Sequence, residues 1–145
     1  MYFLISLVAD LTLKVKANEG RLSPVHVELK GPKNISCEVT SQDKVSVEWI
    51  NRQHNGWKVE TLVALDRKVS HLQYKQVKML HLKPAVADVI GILSCQKDAP
   101  QVDKLRCETK FVCQASYTFN KTISEEKEVE VIFELSKCSF TLLPK

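Results

Sequence analysis

The sequence predicts an all-β fold: a two-sheet sandwich of about seven to nine short strands. Three stretches predict it. Asn34-Ile35-Ser36-Cys37-Glu38-Val39-Thr40 and Thr109-Lys110-Phe111-Val112-Cys113-Gln114-Ala115 each alternate around a cysteine, the pattern of a half-buried strand with an inward thiol. Val45-Ser46-Val47-Glu48-Trp49-Ile50 alternates too, and places Trp49 twelve residues beyond Cys37, in phase with Val45 and Val47. Two inward cysteines, and a tryptophan on a third strand to pack against their bridge, are the framework of an immunoglobulin-like sandwich.

Composition sets the outer bounds. A chain of 145 residues has room for one domain with a sizeable core and not for two of ordinary size. With 44% hydrophobic residues, four glycines and five prolines, neither disorder nor a collagenous chain is indicated. The net charge of +4 is modest and spread along the chain, so neither nucleic acid nor a membrane is an expected partner. Five cysteines without a C-x-x-C pair, and sequons at Asn34 and Asn120, point to a secreted, extracellular glycoprotein.

Taken in order, the chain opens on an apolar run, Tyr2 to Ala9, and Val15-Lys16-Ala17 supplies small residues at the positions a signal peptidase reads. Residues 1–17 are therefore expected to be a signal peptide, although no Lys or Arg precedes the run and Asp10 interrupts it; the alternative is a native edge strand. Its removal takes away Asp10, Lys14 and Lys16 and lowers the net charge from +4 to +3. Residues 18–136 then form the immunoglobulin-like domain and 137–145 a tail.

Within the domain, Val25 to Leu29 is the expected first strand, and Gly31-Pro32-Lys33 turns the chain toward Cys37. Ser41 to Lys44 turns it again toward Trp49, and Asn55-Gly56 signals a hairpin that Trp57 to Val63 continues. Asp66 to Pro84 is poorly phased, with a strand at Tyr74 to Leu82. Val86 to Cys95 resumes a β pattern, with Gly91 marking a bulge or a close approach, and Asp98-Ala99-Pro100 is a turn. Cys107 to Phe119 forms a strand with its odd residues from Thr109 onward on one face, and Glu128 to Leu135 forms the last, with Val129, Val131, Phe133 and Leu135 inward.

No catalytic motif is present: there is no G-x-S-x-G, no H-E-x-x-H and no glycine-rich phosphate loop. His26, His54, His71 and His81 lack metal-ligand spacing, so neither a metal nor a cofactor is expected, and the chain reads as no enzyme.

The chemistry lies in the cysteines. Cys107 and Cys113 stand on one extended strand, roughly 20 Å apart, and cannot bond to each other. A bridge from Cys37 to Cys113 leaves Cys95 for Cys107 and Cys138 over. Alternation of strand direction gathers the Cys95 to Cys107 loop and Cys138 at one pole. There Cys138 either makes an intermolecular bridge or pairs within a longer chain, or else competes with Cys95 or Cys107, and these readings stay open. The opposite pole carries Tyr117-Thr118-Phe119-Asn120-Lys121-Thr122, an aromatic turn in which Tyr117 and Phe119 are the candidate binding residues, although their phase with Cys113 favours the core and a glycan on Asn120 would shield part of that surface.

One family resemblance emerges. The run Val86 to Lys97, the run Leu105 to Ala115 and the tail Lys137-Cys138-Ser139-Phe140 resemble the amino-terminal immunoglobulin domain of gastropod fibrinogen-related proteins, over most of the chain. That resemblance implies a secreted protein of innate immunity against parasites or microbes, with a protein or glycoprotein ligand or self-assembly, including a disulfide-linked oligomer. Members also carry a connecting region and a fibrinogen lectin domain. The chain stops at Lys145 without them, so it reads as a truncated form or a fragment, and sugar binding does not carry over. The alternatives are a cell-adhesion or receptor ectodomain, and a small secreted enzyme or inhibitor. The chain also departs from the general immunoglobulin pattern: Phe111 replaces the tyrosine two residues before the second framework cysteine, and Cys107 and Thr109 replace the preceding Asp and Gly. The Cys95 to Cys107 bridge is the expected substitute for the corner that the tyrosine would hold.

Overall fold

Alternating apolar residues pair into sheets only where a second face exists to bury them, and here two such faces meet. The computed structural model describes residues 11–17, 24–28, 33–83, 85–93, 95–98, 101–119 and 123–136. One sheet contains β1 (Thr12–Ala17), β3 (Lys33–Ser41), β6 (Gln73–Leu82) and β5 (Thr61–Ser70), in that spatial order. The facing sheet contains β2 (Val25–Glu28), β9 (Ser124–Ser136), β8 (Gln101–Ser116) and β4 (Ser46–Ile50), with β7 (Cys95–Asp98) also paired to β8. The strand order and crossings are those of an immunoglobulin-like sandwich, with the split first strand shared between the sheets.

The core is what the periodicity promised. Ile35, Cys37 and Val39 on β3 face Phe111 and Cys113 on β8, and Val129, Val131, Phe133 and Leu135 on β9, all buried. Cys37 and Cys113 are bonded across the sheets, their Cα atoms 6.5 Å apart. Trp49 lies directly opposite Cys113 in the β4–β8 ladder, and its indole N–H donates to the Lys78 carbonyl of the other sheet at 3.0 Å.

Three expectations are corrected. Val25 to Leu29 is not the first strand of the domain: β1 precedes it, pairing antiparallel with β3 from Thr12↔Thr40 to Ala17↔Ile35, while β2 runs parallel to β9. The segment Leu11 to Ala17, the end of the expected leader, contains β1 and buries Leu11, Val15 and Ala17 in the core; the run Tyr2 to Ala9 lies outside the described residues. The Asn55-Gly56 turn forms, but no hairpin follows, because β4 and β5 belong to different sheets and the chain crosses between them. Finally, the β pattern at Val86 to Cys95 is mostly a helix, α1 (Val86–Ile92). Its burial explains why: Val89 and Leu93 are buried and Ile90 and Ile92 half-buried, a spacing of three and four that suits one helical face. Gly91 sits in that helix with nothing near the place of a Cβ, so it marks neither a bulge nor a close approach.

β5 explains the poorly phased middle. It is an edge strand whose every residue is exposed except the half-buried Leu65, because the hairpin with β6 overhangs the facing sheet. A strand exposed on both faces carries no alternation to read. The neighbouring edge, β4, is closed by side chains from β6. Val45 N–H donates to Gln76 Oε1 (3.0 Å), Gln76 Nε2 returns a bond to the Val45 carbonyl (3.1 Å), and Lys78 Nζ donates to the Val47 carbonyl (2.9 Å). Backbone groups that would recruit another strand are thereby satisfied.

Candidate binding surface

At one pole, β8 ends at Ser116 and the chain turns into β9. Tyr117 N–H donates to the Ile123 carbonyl at 3.2 Å, which closes the base of that turn. The Tyr117 side chain keeps the inward phase of β8 and is buried, its hydroxyl accepting a hydrogen bond from the Gln42 backbone N–H in the β3–β4 turn. Phe119 lies beyond the strand end, where the phase no longer holds. It is 74% exposed, the highest value among the exposed large apolar residues described, with its ring centroid 5.5 Å from that of Tyr117. The two candidate binding residues are thus separated. Tyr117 is a core residue, in keeping with its phase with Cys113, whereas Phe119 is presented to solvent on a buried aromatic base. Asn120, in the second sequon, lies outside the described residues.

At the opposite pole, the three departures from the general pattern each find a new partner. Cys107 is bonded to Cys95, directly opposite it in the β7–β8 ladder. Phe111 is fully buried beneath Trp57, whose ring meets it edge-on (6.1 Å) and stacks on Phe133 (5.2 Å). Thr109 Oγ1 accepts from Asn51 Nδ2 at 2.9 Å and lies 2.7 Å from His54 Nδ1, to which it donates or from which it accepts according to the imidazole tautomer. Hydroxyl beside imidazole is the geometry of an activated nucleophile, but Thr109 is only 1% exposed and its oxygen is engaged by Asn51. Its role is to fasten the loop after β4 to β8.

Cys37 is bonded to Cys113 and Cys95 to Cys107, which accounts for four of the five cysteines of the sequence. Cys138 itself lies outside the described residues, but Lys104 opposite Ser136 puts the end of β9 beside the β7–β8 hairpin.

Between the loop after β4 and α1 lies an open hollow of about 250 Å³, lined by Trp57, Lys58, Glu60, His81, Lys83 and Asp88. Sequence reasoning missed it, because a helix misread as strand removes one of its walls. The spacing of Val86, Val89, Ile90 and Leu93 was the signal that could have found it.

The electrostatics are those of a solvated surface. Arg52 forks onto Glu126 with bonds of 3.0 and 2.9 Å and holds that carboxyl below its ordinary value. The Tyr74 hydroxyl, 2.6 Å from Asp66, holds this carboxyl low as well, assisted by Lys44. Three histidines have single partners: His26 with Glu134, His54 with Thr109 and His81 with Asn34. Among the described residues no three His, Cys, Asp or Glu side chains are grouped to hold a metal, and no helix is long and apolar enough to cross a membrane. No family model matches the chain, and no curated protein matches it.

Proposed function

We propose that this chain is a secreted, non-enzymatic recognition module of innate immunity, which binds a protein or glycoprotein ligand of parasite, microbe or self through its β8–β9 turn. The observation that carries the reading is Phe119, an aromatic ring held out to solvent at the tip of a rigid strand pair; rings so placed serve as anchors in binding loops. Two disulfides fit an extracellular location, and sequons at Asn34 and Asn120 fit a glycoprotein. The resemblance to the immunoglobulin domain of gastropod fibrinogen-related proteins supplies the immune setting. Cys138 supports assembly through an intermolecular bridge, visible as a dimer in non-reducing electrophoresis that reduction abolishes.

The test uses secreted protein applied to microbial cells and to parasite surface extract, wild type against Phe119→Ser. Loss of an aromatic anchor is expected to weaken binding about tenfold or more, with the melting temperature unchanged. Equal binding by the two proteins removes the β8–β9 turn from the recognition surface.

A further inference from the structure

The outer face of the β1-β3-β6-β5 sheet is divided in a way its sequence does not announce. Directly paired residues share a face, so the ladders can be read as rows across it. Leu62 pairs with Met79, and after a one-residue irregularity Leu65 pairs with Val77, which gives a two-by-two apolar block on an edge strand and its neighbour. Leu62 is 45% exposed, and Leu65, Val77 and Met79 are half-buried. On β3 the same rows continue into polar residues, with Ser36 beside Met79 and Glu38 beside Val77. The next row pairs Asn34 with His81.

Asn34 and Ser36 are the first and third residues of the first sequon, and they lie on this same outer face. Asn34 is a diagonal neighbour of Met79, about 7–8 Å away. Its Oδ1 is 2.7 Å from His81 Nδ1, so a His81 ring carrying its proton on Nδ1 donates to that oxygen. The amide nitrogen, the atom that bears the sugar in an N-glycoside, then has no protein hydrogen bond among the described residues. The amide is therefore oriented, half-exposed and placed one row from an apolar block that no described element covers.

We infer that Asn34 carries an N-linked glycan whose first sugars lie over the Leu62, Leu65, Val77 and Met79 block and keep it from pairing with other chains. The inference rests on the secretory reading above and goes beyond it, since it assigns one sequon a location and a role. A glycan suits that role because it is bulky, solubilising and attached beside the patch, whereas an exposed apolar edge strand left bare is a site of association. β5 needs such a cover because its charged residues, Asp66, Arg67 and Lys68, are confined to its second half, leaving Thr61 to Leu65 without a charge.

The experiment compares wild type, Ser36→Thr and Ser36→Ala, expressed through the secretory pathway of a glycosylating host. Ser36→Thr keeps the sequon, while Ser36→Ala deletes it and leaves the Asn34–His81 contact in place. Glycopeptide mass spectrometry is expected to find Asn34 occupied in the first two proteins and bare in the third. The bare protein should bind the apolar dye anilinonaphthalene sulfonate several-fold more strongly and self-associate in sedimentation. Adding Leu62→Thr and Leu65→Thr should reverse both effects. Endoglycosidase treatment of folded wild type gives the same comparison without substitution, so misfolding of Ser36→Ala does not decide the matter. Secretion with Asn34 bare, or a bare protein no stickier than the glycosylated one, overturns the inference alone. A chain that is not exported overturns the secretory reading and the inference with it.

Discussion

At the scale of single residues, what fixes this domain's lower pole is a hydroxyl. Thr109 is 1% exposed, and its oxygen accepts from Asn51 Nδ2 and faces His54 Nδ1, while Asn51 Oδ1 accepts from the backbone N–H groups of Gln53 and His54. One amide therefore shapes the turn after β4, and one hydroxyl anchors that amide to β8. Thr109→Val keeps the shape and removes the oxygen, which leaves a buried amide donor without its acceptor. Such a loss costs about 1–3 kcal/mol, and the expected result is a lower urea midpoint at an unchanged m-value. An unchanged midpoint would mean that water replaces the hydroxyl and that the loop is held by packing. Trp57 is the packing alternative: it stacks on Phe133 and edges onto Phe111, at the position where a tyrosine would otherwise hold the corner.

At the scale of elements, legibility followed burial. β3, β4, β8 and β9 were readable because each buries a run of alternate residues, so period two survives in the residues themselves: Ile35, Cys37 and Val39 in β3, and Val129, Val131, Phe133 and Leu135 in β9. The disulfide pairing was readable for the same reason, since strand length excluded one bond and inward phase favoured another. α1 was missed because its seven residues are too few to show two full periods, and Val and Ile suit strands as well as helices. β5 was unreadable because nothing covers it. Phe119 and Tyr117 looked alike because phase extends along a strand only as far as the strand does. β1 coincides with a second pattern, since an apolar stretch ending in Val-Lys-Ala also reads as the end of a leader.

β1 therefore makes a prediction at its own scale. A protein cut after Ala17 loses the buried Leu11 and Val15 and bares the β3 edge from Ile35 to Thr40. Burial of two such side chains contributes about 3–6 kcal/mol, a large part of the stability of a small domain. Expressed from Asn18, the chain should unfold at much lower urea concentration or aggregate, whereas a chain beginning at Asp10 should be fully stable. Sequencing the amino terminus of the secreted protein is expected to place the cleavage before Leu11. A stable, monomeric protein beginning at Asn18 would show β1 to be dispensable.

At the scale of the whole molecule, the disulfides and the surface ion pairs both add to the buried core, and they answer to different conditions. The inter-sheet bridge from Cys37 to Cys113 closes a span of 76 residues and, on the chain-entropy account, contributes about 4.5 kcal/mol; the Cys95 to Cys107 span of 12 contributes about 3. Neither depends on acidity over the range in which carboxylates titrate. The ion pairs do. Arg52 with Glu126 ties the loop after β4 to the start of β9, and Asp66 with Tyr74 and Lys44 ties β5 to β6 and to the β3–β4 turn.

In both pairs the folded carboxyl sits below its ordinary value, so the folded chain gives up these protons more readily than the unfolded one. By linkage, the stabilisation is fully present above the unfolded carboxyl values of about 4 and is lost as pH falls through the lower folded values. Both carboxylates are open to solvent, so the effect should be small and weakened by salt. The melting temperature should stay level from pH 7 to about 5 and decline below about 4. In Glu126→Gln combined with Asp66→Asn, the curve should start slightly lower at pH 7 and decline less steeply, meeting the wild-type curve at the acid end. Parallel curves for the two proteins would assign the acid sensitivity to other carboxylates.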